Sequence, residues 1–356
     1  MFVKTFAGAL VVTGLGLALA FGYGGGTGLA VAAILGVLEV SVSFDNAVVN
    51  ATYLRRLSPL WQRLFLTVGV LIAVFGMRLL FPLVIVSLTA HVSPAQALRL
   101  ALDGGGVEQA GSYANLLHEA HPAIAAFGGI FLLLLFCDFV FGERDRVWLT
   151  WLERPLLRIG KLDEVGVLVA VVVLLVVTET LTPADKTTTV LLSGLFGVLT
   201  FLLVNGLNEL FDSGEHRPGA VHLVGRAAFT VFLYLEVLDA TFSFDGVIGA
   251  FAITSDPVII AIGLGIGAMY IRSLTLFLVR KGTLESYVYL EHGALWAIGA
   301  LAVLLLLTIR FDVPELVTGL IGAGFIGAAL ASSISRNRRK HAEAAQYARE
   351  RAELDS

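Results

Sequence analysis

The sequence predicts an all-α polytopic membrane protein with about ten transmembrane helices, arranged as two inverted three-helix repeats. Of its 356 residues, 57% are hydrophobic and only 15% are charged, against roughly 25% charged residues in a typical soluble domain. The mean hydropathy is +0.86. The third observation is a Ser-Phe-Asp motif that ends at Asp45 and recurs at Asp245, inside apolar runs of membrane-spanning length.

The apolar runs follow one another in a regular order. In chain order the predicted spans are about 5–21, 29–53, 64–88, 123–141, 165–181, 187–207, 222–253, 257–279, 294–308 and 316–331. Ala18-Leu19-Ala20 resembles a signal-peptidase site, but because the chain is plainly polytopic we expect the first span to be retained. Residues 112–119 are expected to form a short interfacial helix. The seventh span exceeds the roughly 20 residues that cross a bilayer, so it should start at the interface or break near residues 243–246.

Basic residues alternate from one connection to the next. One set of connections carries Arg55, Arg56, Arg63, the linker 144–161, Arg217, Arg280, Lys281 and the tail 336–340. The other set (90–121, 182–186, 254–256 and 310–315) holds only Arg99, Lys186 and Arg310. By the positive-inside rule both termini are cytoplasmic. Residues 1–335 would then form one transmembrane domain, and 336–356 a charged cytoplasmic tail. A net charge of −4 without a basic patch gives no reason to expect a nucleic-acid partner.

The two motifs place charge where it is costly. A charged side chain near the bilayer centre costs about 2.5–3.5 kcal/mol, and such residues are usually functional. On an ideal helix Glu39, Ser43, Asn46 and Asn50 share one face, and so do Glu236, Asp239, Ser243 and Gly246. Asp45 and Asp245 lie off those faces. They can join the same site only if the helix unwinds locally, or they face another neighbour.

The motifs belong to longer repeats. A span with a buried arginine follows each motif, Arg78 in the first copy and Arg272 in the second, so residues 29–141 correspond to 222–309. Five spans separate the starts of the copies, hence the copies enter the membrane from opposite sides. Such inverted repeats hold a substrate site near the midplane. The helices at about 164–207 lie between the repeats.

Carboxylate and carboxamide oxygens suit hard divalent cations such as Mg²⁺, Ca²⁺ or Mn²⁺. Several acids cannot all ionise side by side in a dry cavity, so we expect one of them to hold a proton that exchanges against the cation. The competing interpretation is structural ion pairing, Asp45 with Arg78 and Asp245 with Arg272. The single cysteine, Cys137, excludes an intramolecular disulfide and a zinc–thiolate site, and is expected to be buried.

Leu38-Glu39-Val-Ser-Val-Ser-Phe-Asp45-Asn46-Ala-Val and Glu236-Val-Leu-Asp239-Ala-Thr-Phe-Ser-Phe-Asp245 resemble the paired motifs of TerC-type integral membrane proteins. Together with Tyr289-Leu-Glu291-His292-Gly-Ala-Leu-Trp, the chain is similar to a long bacterial branch known as a domain of unknown function. The resemblance implies a lysine-exporter-superfamily transporter in the bacterial inner membrane, related to proteins of manganese export and tellurite resistance. It implies metal ligation by Glu39, Asp45, Asn46, Asp239 and Asp245. The helix face adds Glu236, with Ser43, Asn50, Arg78, Ser243 and Arg272 in support. Gly246, which replaces Asn46, departs from the pattern.

The leading hypothesis is a secondary transporter that exports a divalent cation, with Mn²⁺ favoured, in exchange for protons and without a resident cofactor. The chain has no nucleotide-binding loop to couple transport to ATP directly. One alternative is an intramembrane aspartyl-type enzyme that uses Asp45 and Asp245 as acid and base, although no Gly-x-Gly-Asp signature accompanies them. Another is a membrane scaffold of a metal- or tellurite-stress complex. The bilayer, the metal ion and a homo-oligomer are the expected partners.

Overall fold

The protein is a bundle of long helices. The computed structural model describes residues 2–142, 144, 147–160, 164–215 and 223–354. Side chains at 2–4, 207–215, 244–245, 252, 315 and 340–354 are not described. The helices are α1 (Phe2–Val42), α2 (Phe44–Leu54), α3 (Pro59–Leu71), a π-helix (Ile72–Leu80), α4 (Phe81–Thr89), α5 (Pro94–Asp103), α6 (Tyr113–Phe141), α7 (Thr150–Ile159), α8 (Val165–Thr180), α9 (Thr187–Glu215), α10 (Gly225–Ile253), α11 (Pro257–Arg280), α12 (Thr283–Ser286), α13 (Leu290–Leu307) and α14 (Glu315–Leu354).

The predicted all-α membrane class is confirmed. Within the described ranges, eight helices are long and apolar enough to cross a membrane. The regular elements there are all helical; one isolated bridge, Leu57 with Leu223, is the only strand-like pairing found among those residues.

Helix α1 is folded back on itself at Gly25. This glycine has φ +61° and ψ −152°, outside helical geometry, and such a left-handed φ favours glycine. Gly24 and Gly28 both lie against Ile259, and Gly16 and Gly36 both lie against Ile266. Each half therefore runs along α11, and the two halves form a hairpin.

This hairpin divides the apolar segment Thr5–Val42 in two, and the shorter apolar helix Val165–Thr180 adds one more. Over the described part of the chain the structure shows eight helices of spanning length, against the ten spans that the sequence predicts. Two boundaries differ from the prediction. Residues 112–119 do not form a separate interfacial helix, because α6 already begins at Tyr113 after the Ser112 cap. The helix through the second motif, α10, runs unbroken past residues 243–246.

Connections that were predicted to share a side meet at the same end of the bundle. At one end, Arg55 pairs with Glu291 at 2.7 Å, and Asn337 donates to the Ser286 carbonyl. At the other end, Lys186 donates to the Glu119 carbonyl at 2.7 Å. Arg217 and the start of the second repeat at residue 222 lie outside the described residues.

A buried polar cluster docks the amphipathic helix α7 on the bundle. The Glu153 carboxylate is fully buried and accepts hydrogen bonds from Trp296 Nε1 at 3.1 Å and from the Trp148 amide at 3.1 Å. The Arg144 guanidinium lies 3.8 Å from the same carboxylate and stacks on the Phe139 ring. Burial lowers the pKa of Arg144, while the neighbouring Glu153 carboxylate raises it.

The core follows from the long apolar helices. The largest buried cluster joins α6, α8, α9, α13 and α2, and includes the predicted buried Cys137. The tail beyond Arg336 continues α14 as helix to Leu354.

Candidate functional site

The first motif lies at a break between two helices. Helix α1 ends at Val42, and Ser43, with φ −93° and ψ 16°, precedes α2. Asp45 is therefore in the first turn of α2, where free backbone N–H groups and the helix dipole favour an anion. Its Oδ1 accepts from the Asn46 amide at 3.0 Å. A local break of this kind is one of the two alternatives that the sequence left open for Asp45.

A small cavity lies at this break. It has a volume of about 40 Å³, enough for an ion with one or two waters. Polar side chains from α1, α2 and α14 meet around it, beside two residues of the second motif. Its lining consists of Glu39, Val42, Ser43, Asp45, Asn46, Phe242, Gly246, Leu301, Thr318 and Gly319.

Both carboxylates of the cavity are buried against glycine backbone. Glu39 and Asp45 are 6% and 7% exposed. A Cβ on Gly246 would lie 2.9 Å from Glu39 Oε2, and a Cβ on Gly267 would overlap the Glu39 side chain. A Cβ on Gly322 would overlap the Asp45 carboxylate. Three glycines, on α10, α11 and α14, thus allow the helices to approach closely enough to enclose two acids. This explains why the second motif has glycine where the first has Asn46.

Arg78 compensates one of these two charges. Its guanidinium pairs with Glu39 at 2.5 Å and donates to the Ala73 carbonyl at 3.0 Å. Arg78 lies in the π-helix, a geometry that is uncommon and often found at functional sites. The structure does not contain the Asp45–Arg78 pair weighed above, because Glu39 takes Arg78 as its partner. Asp45 instead accepts a hydrogen bond from the Asn46 amide at the start of α2.

The carboxylates of the second motif hold an arginine. Arg272, 1% exposed, pairs with Glu236 through two contacts of 3.0 Å and with Asp239 at 3.0 Å. It also donates to the Phe65 carbonyl at 3.1 Å and stacks on the Phe65 ring. A buried charge is tolerated when it is paired and hydrogen-bonded in this way.

The two Arg–acid pairs lie at similar distances after the two motifs in the sequence. The Ser-Phe-Asp motifs are offset by 245 − 45 = 200 residues, so that Glu39 corresponds to Asp239. Each of these residues binds the arginine of the following span, Arg78 or Arg272. Glu236 is an additional acid with no counterpart at residue 36, which is glycine.

The predicted ligands therefore fall into two groups. Glu39, Asp45 and Asn46 line the cavity, with Ser43, whereas Glu236 and Asp239 bind Arg272. Ser243 is buried in α10. Asp245 lies in α10, but its side chain is outside the described residues. Within the described part, three or more carboxylate, imidazole or thiolate groups nowhere converge as a metal site. The cavity itself offers two carboxylates together with carboxamide and hydroxyl oxygens.

Sequence reasoning missed the contribution of the last span. Thr318 and Gly319 of α14 line the cavity, and Gly322 contacts Asp45. Gly319 and Gly322 lie three residues apart on α14, and a Cβ on either would meet Val42 or Asp45. Such a spacing of small residues is typical of close helix approach, but it did not indicate which residue would be approached.

Comparison with known proteins identifies one family. The model of a family described as "Protein of unknown function (DUF475)" matches residues 44–340, which include Asp45 and the whole second motif. No curated protein and no solved structure gave a significant match.

Proposed function

The chain belongs to this DUF475 family, and we propose that it is a secondary transporter that exports a divalent metal cation, with Mn²⁺ as the favoured substrate. One observation carries the proposal. A polytopic helical bundle contains an ion-sized cavity lined by two buried carboxylates, and among the described residues Arg78 pairs with one of them, Glu39. The motif resemblance to TerC-type exporters adds support for the choice of manganese.

The donor set of the cavity favours a hard cation. Glu39 and Asp45 supply carboxylate oxygens, Asn46 a carboxamide oxygen, and Ser43 and Thr318 hydroxyl oxygens. Oxygen ligands of this kind are those of Mg²⁺, Ca²⁺ and Mn²⁺, and the described lining residues include no sulfur or imidazole ligand that would favour copper or zinc. With Glu39 offset by Arg78, a bound dication would offset Asp45 as well.

The acids of the second motif would bind the cation in the other half of the transport cycle, when the site opens to the opposite side of the membrane. Glu236 and Asp239 remain predicted ligands, and in this conformation their oxygens bind Arg272. In an inverted-repeat transporter the two halves exchange exposure around one site. We propose that the arginine neutralises these acids while the cation occupies the first half, and that protons are the counter-ion. The bacterial inner membrane, with both termini cytoplasmic, is the proposed location.

Transport of metal into inverted membrane vesicles or proteoliposomes tests the proposal. Mn²⁺ uptake by the wild-type protein should fall to background in Asp45→Asn, because the uncompensated carboxylate is lost. Glu179→Gln is the matched control, since Glu179 is an exposed acid at the end of α8. Mn²⁺ should also raise the unfolding temperature of the wild type and of the control, but not of Asp45→Asn, because a ligand that binds only the folded state stabilises it.

Equal uptake by Asp45→Asn and wild type would refute the assignment of the site. A panel of Mn²⁺, Mg²⁺, Ca²⁺ and Zn²⁺ in the same vesicles identifies the substrate. Varying the pH gradient at zero voltage tests the proposed proton exchange.

A further inference from the structure

Asn50 is a buried polar side chain that the fold does not satisfy. It has 0% exposure in the middle of α2, between the core residues Val49 and Ala51. Neither its Oδ1 nor its Nδ2 has a hydrogen-bond partner among the described residues. Burying a carboxamide without partners destabilises a protein, and nearly all buried polar groups in native structures are paired. An apolar residue of similar size would serve packing better at this position.

The position of Asn50 continues the polar face that begins at the cavity. Asn46 lines the cavity, and Asn50 lies one turn further along α2, a rise of about 6 Å. Tyr53 follows after a further rise of about 4.5 Å on the same side of the helix. Its hydroxyl lies 3.3 Å from the Tyr234 hydroxyl of α10. From the cavity towards the end of α2, this face therefore presents two carboxamides and a phenol.

Two contacts close this face at the end of the bundle. The rings of Tyr53 and Tyr234 pack with their centroids 4.9 Å apart. Beyond them the Arg55–Glu291 ion pair, about 28% exposed on each side chain, joins α2 to the start of α13. Asp138 and Glu291 lie within electrostatic range of the Tyr53 hydroxyl. A cation that leaves the cavity along α2 would thus meet Asn50 first, then the tyrosine pair, and then acidic groups at the end.

Resting on the proposed transport function, we propose that Asn50 is a second binding position for the divalent cation, between the cavity and the Tyr53–Tyr234 pair. A carboxamide oxygen ligates hard cations but carries no charge, so it holds the ion more weakly than Glu39 and Asp45 do. Conduction requires intermediate positions that bind the ion enough to admit it and weakly enough to release it. In this proposal the ion, while it passes, binds the amide oxygen that has no partner within the fold.

Asn50→Leu separates this role from a role in packing. The change removes the buried amide and keeps the branched shape of the side chain, so the unfolding temperature should stay the same or rise. The Mn²⁺-induced rise in unfolding temperature, which reports the cavity, should persist. The initial rate of Mn²⁺ uptake into proteoliposomes should fall at least tenfold. Asn50→Asp keeps an oxygen ligand at the position and should retain more uptake than Asn50→Leu.

Thr52→Val is the matched control, because Thr52 is a buried polar residue of α2 whose hydroxyl is satisfied by the Val48 carbonyl. Its uptake should equal that of the wild type. If leucine prevents folding, Asn50→Ala gives the same comparison. Uptake at the wild-type rate by a folded Asn50→Leu or Asn50→Ala variant, with Mn²⁺ still bound, would overturn this inference and leave the proposed function standing. Failure of the wild type itself to bind and move Mn²⁺ would overturn both.

Discussion

Gly322 offers the sharpest test of the cavity, because a single methyl group there would disturb Asp45 without removing any polar atom. A Cβ built on Gly322 would overlap the Asp45 carboxylate oxygen and lie 2.9 Å from its Cγ. Ordinary carbon–carbon contact is about 3.5–4.0 Å, so Gly322→Ala must displace the carboxylate or α14 by about 0.6–1.1 Å. Metal ligands hold their distances to within about 0.2 Å. A displacement of this size should therefore weaken Mn²⁺ binding at least tenfold, or about 1.4 kcal/mol.

The same helix provides the control. Gly324 has no atom within 4 Å of a built Cβ, and neither has Gly327. Both changes to alanine should raise helix stability by up to about 0.8–1.0 kcal/mol and leave Mn²⁺ binding unchanged. The assay is the concentration of Mn²⁺ that half-saturates uptake, read beside the unfolding temperature. If Gly322→Ala transports with wild-type affinity, the packing of α14 on Asp45 does not define the site.

Two further changes test the buried charges. Arg272→Met should lower the free energy of unfolding by about 3–5 kcal/mol, because Glu236 and Asp239 would be left buried without their cation. Adding Glu236→Gln and Asp239→Asn should restore more than half of that loss, as measured by thermal unfolding in detergent. If stability does not recover in the triple variant, the ion-pair argument is contradicted. Glu153→Ala should cost about 2–4 kcal/mol, since the Trp296 and Arg144 contacts are lost together. Glu153→Gln keeps an oxygen acceptor for Trp296 and should lower the free energy of unfolding by less. Arg158→Ala, on the same helix, is the control and should have little effect on stability. Equal stability of Glu153→Ala and the wild type would contradict the docking role of α7.

The sequence predicted the class of the fold because membrane-spanning helices are the one solution for long apolar runs in a bilayer, where every backbone polar group must be satisfied internally. It also left two alternatives for Asp45, a local break in its helix or a different neighbour, and the structure has a break at Ser43. That inference required only the helical wheel, since Glu39 and Asp45 are six residues apart.

The partners of the charges were beyond the reach of the sequence. Arg78 is 39 residues from Glu39, and its side chain reaches that acid from a π-helix that no local pattern indicates. The role of Gly322 depends on how α14 packs on the start of α2, a contact between segments far apart in the chain. Likewise, the capture of both Glu236 and Asp239 by Arg272 depends on the approach of α3 through Phe65.

The Glu39–Arg78 pair has an electrical consequence. With Asp45 protonated, the described ionisable groups around the cavity sum to zero (−1 for Glu39, +1 for Arg78). With Asp45 ionised and a dication bound, the sum is +1. Each elementary charge that crosses 100 mV changes free energy by about 2.3 kcal/mol. If the protein is the transporter proposed above, the membrane voltage acts on this cavity when it is loaded and not when it is empty and protonated, because Arg78 cancels the charge of Glu39 in both forms.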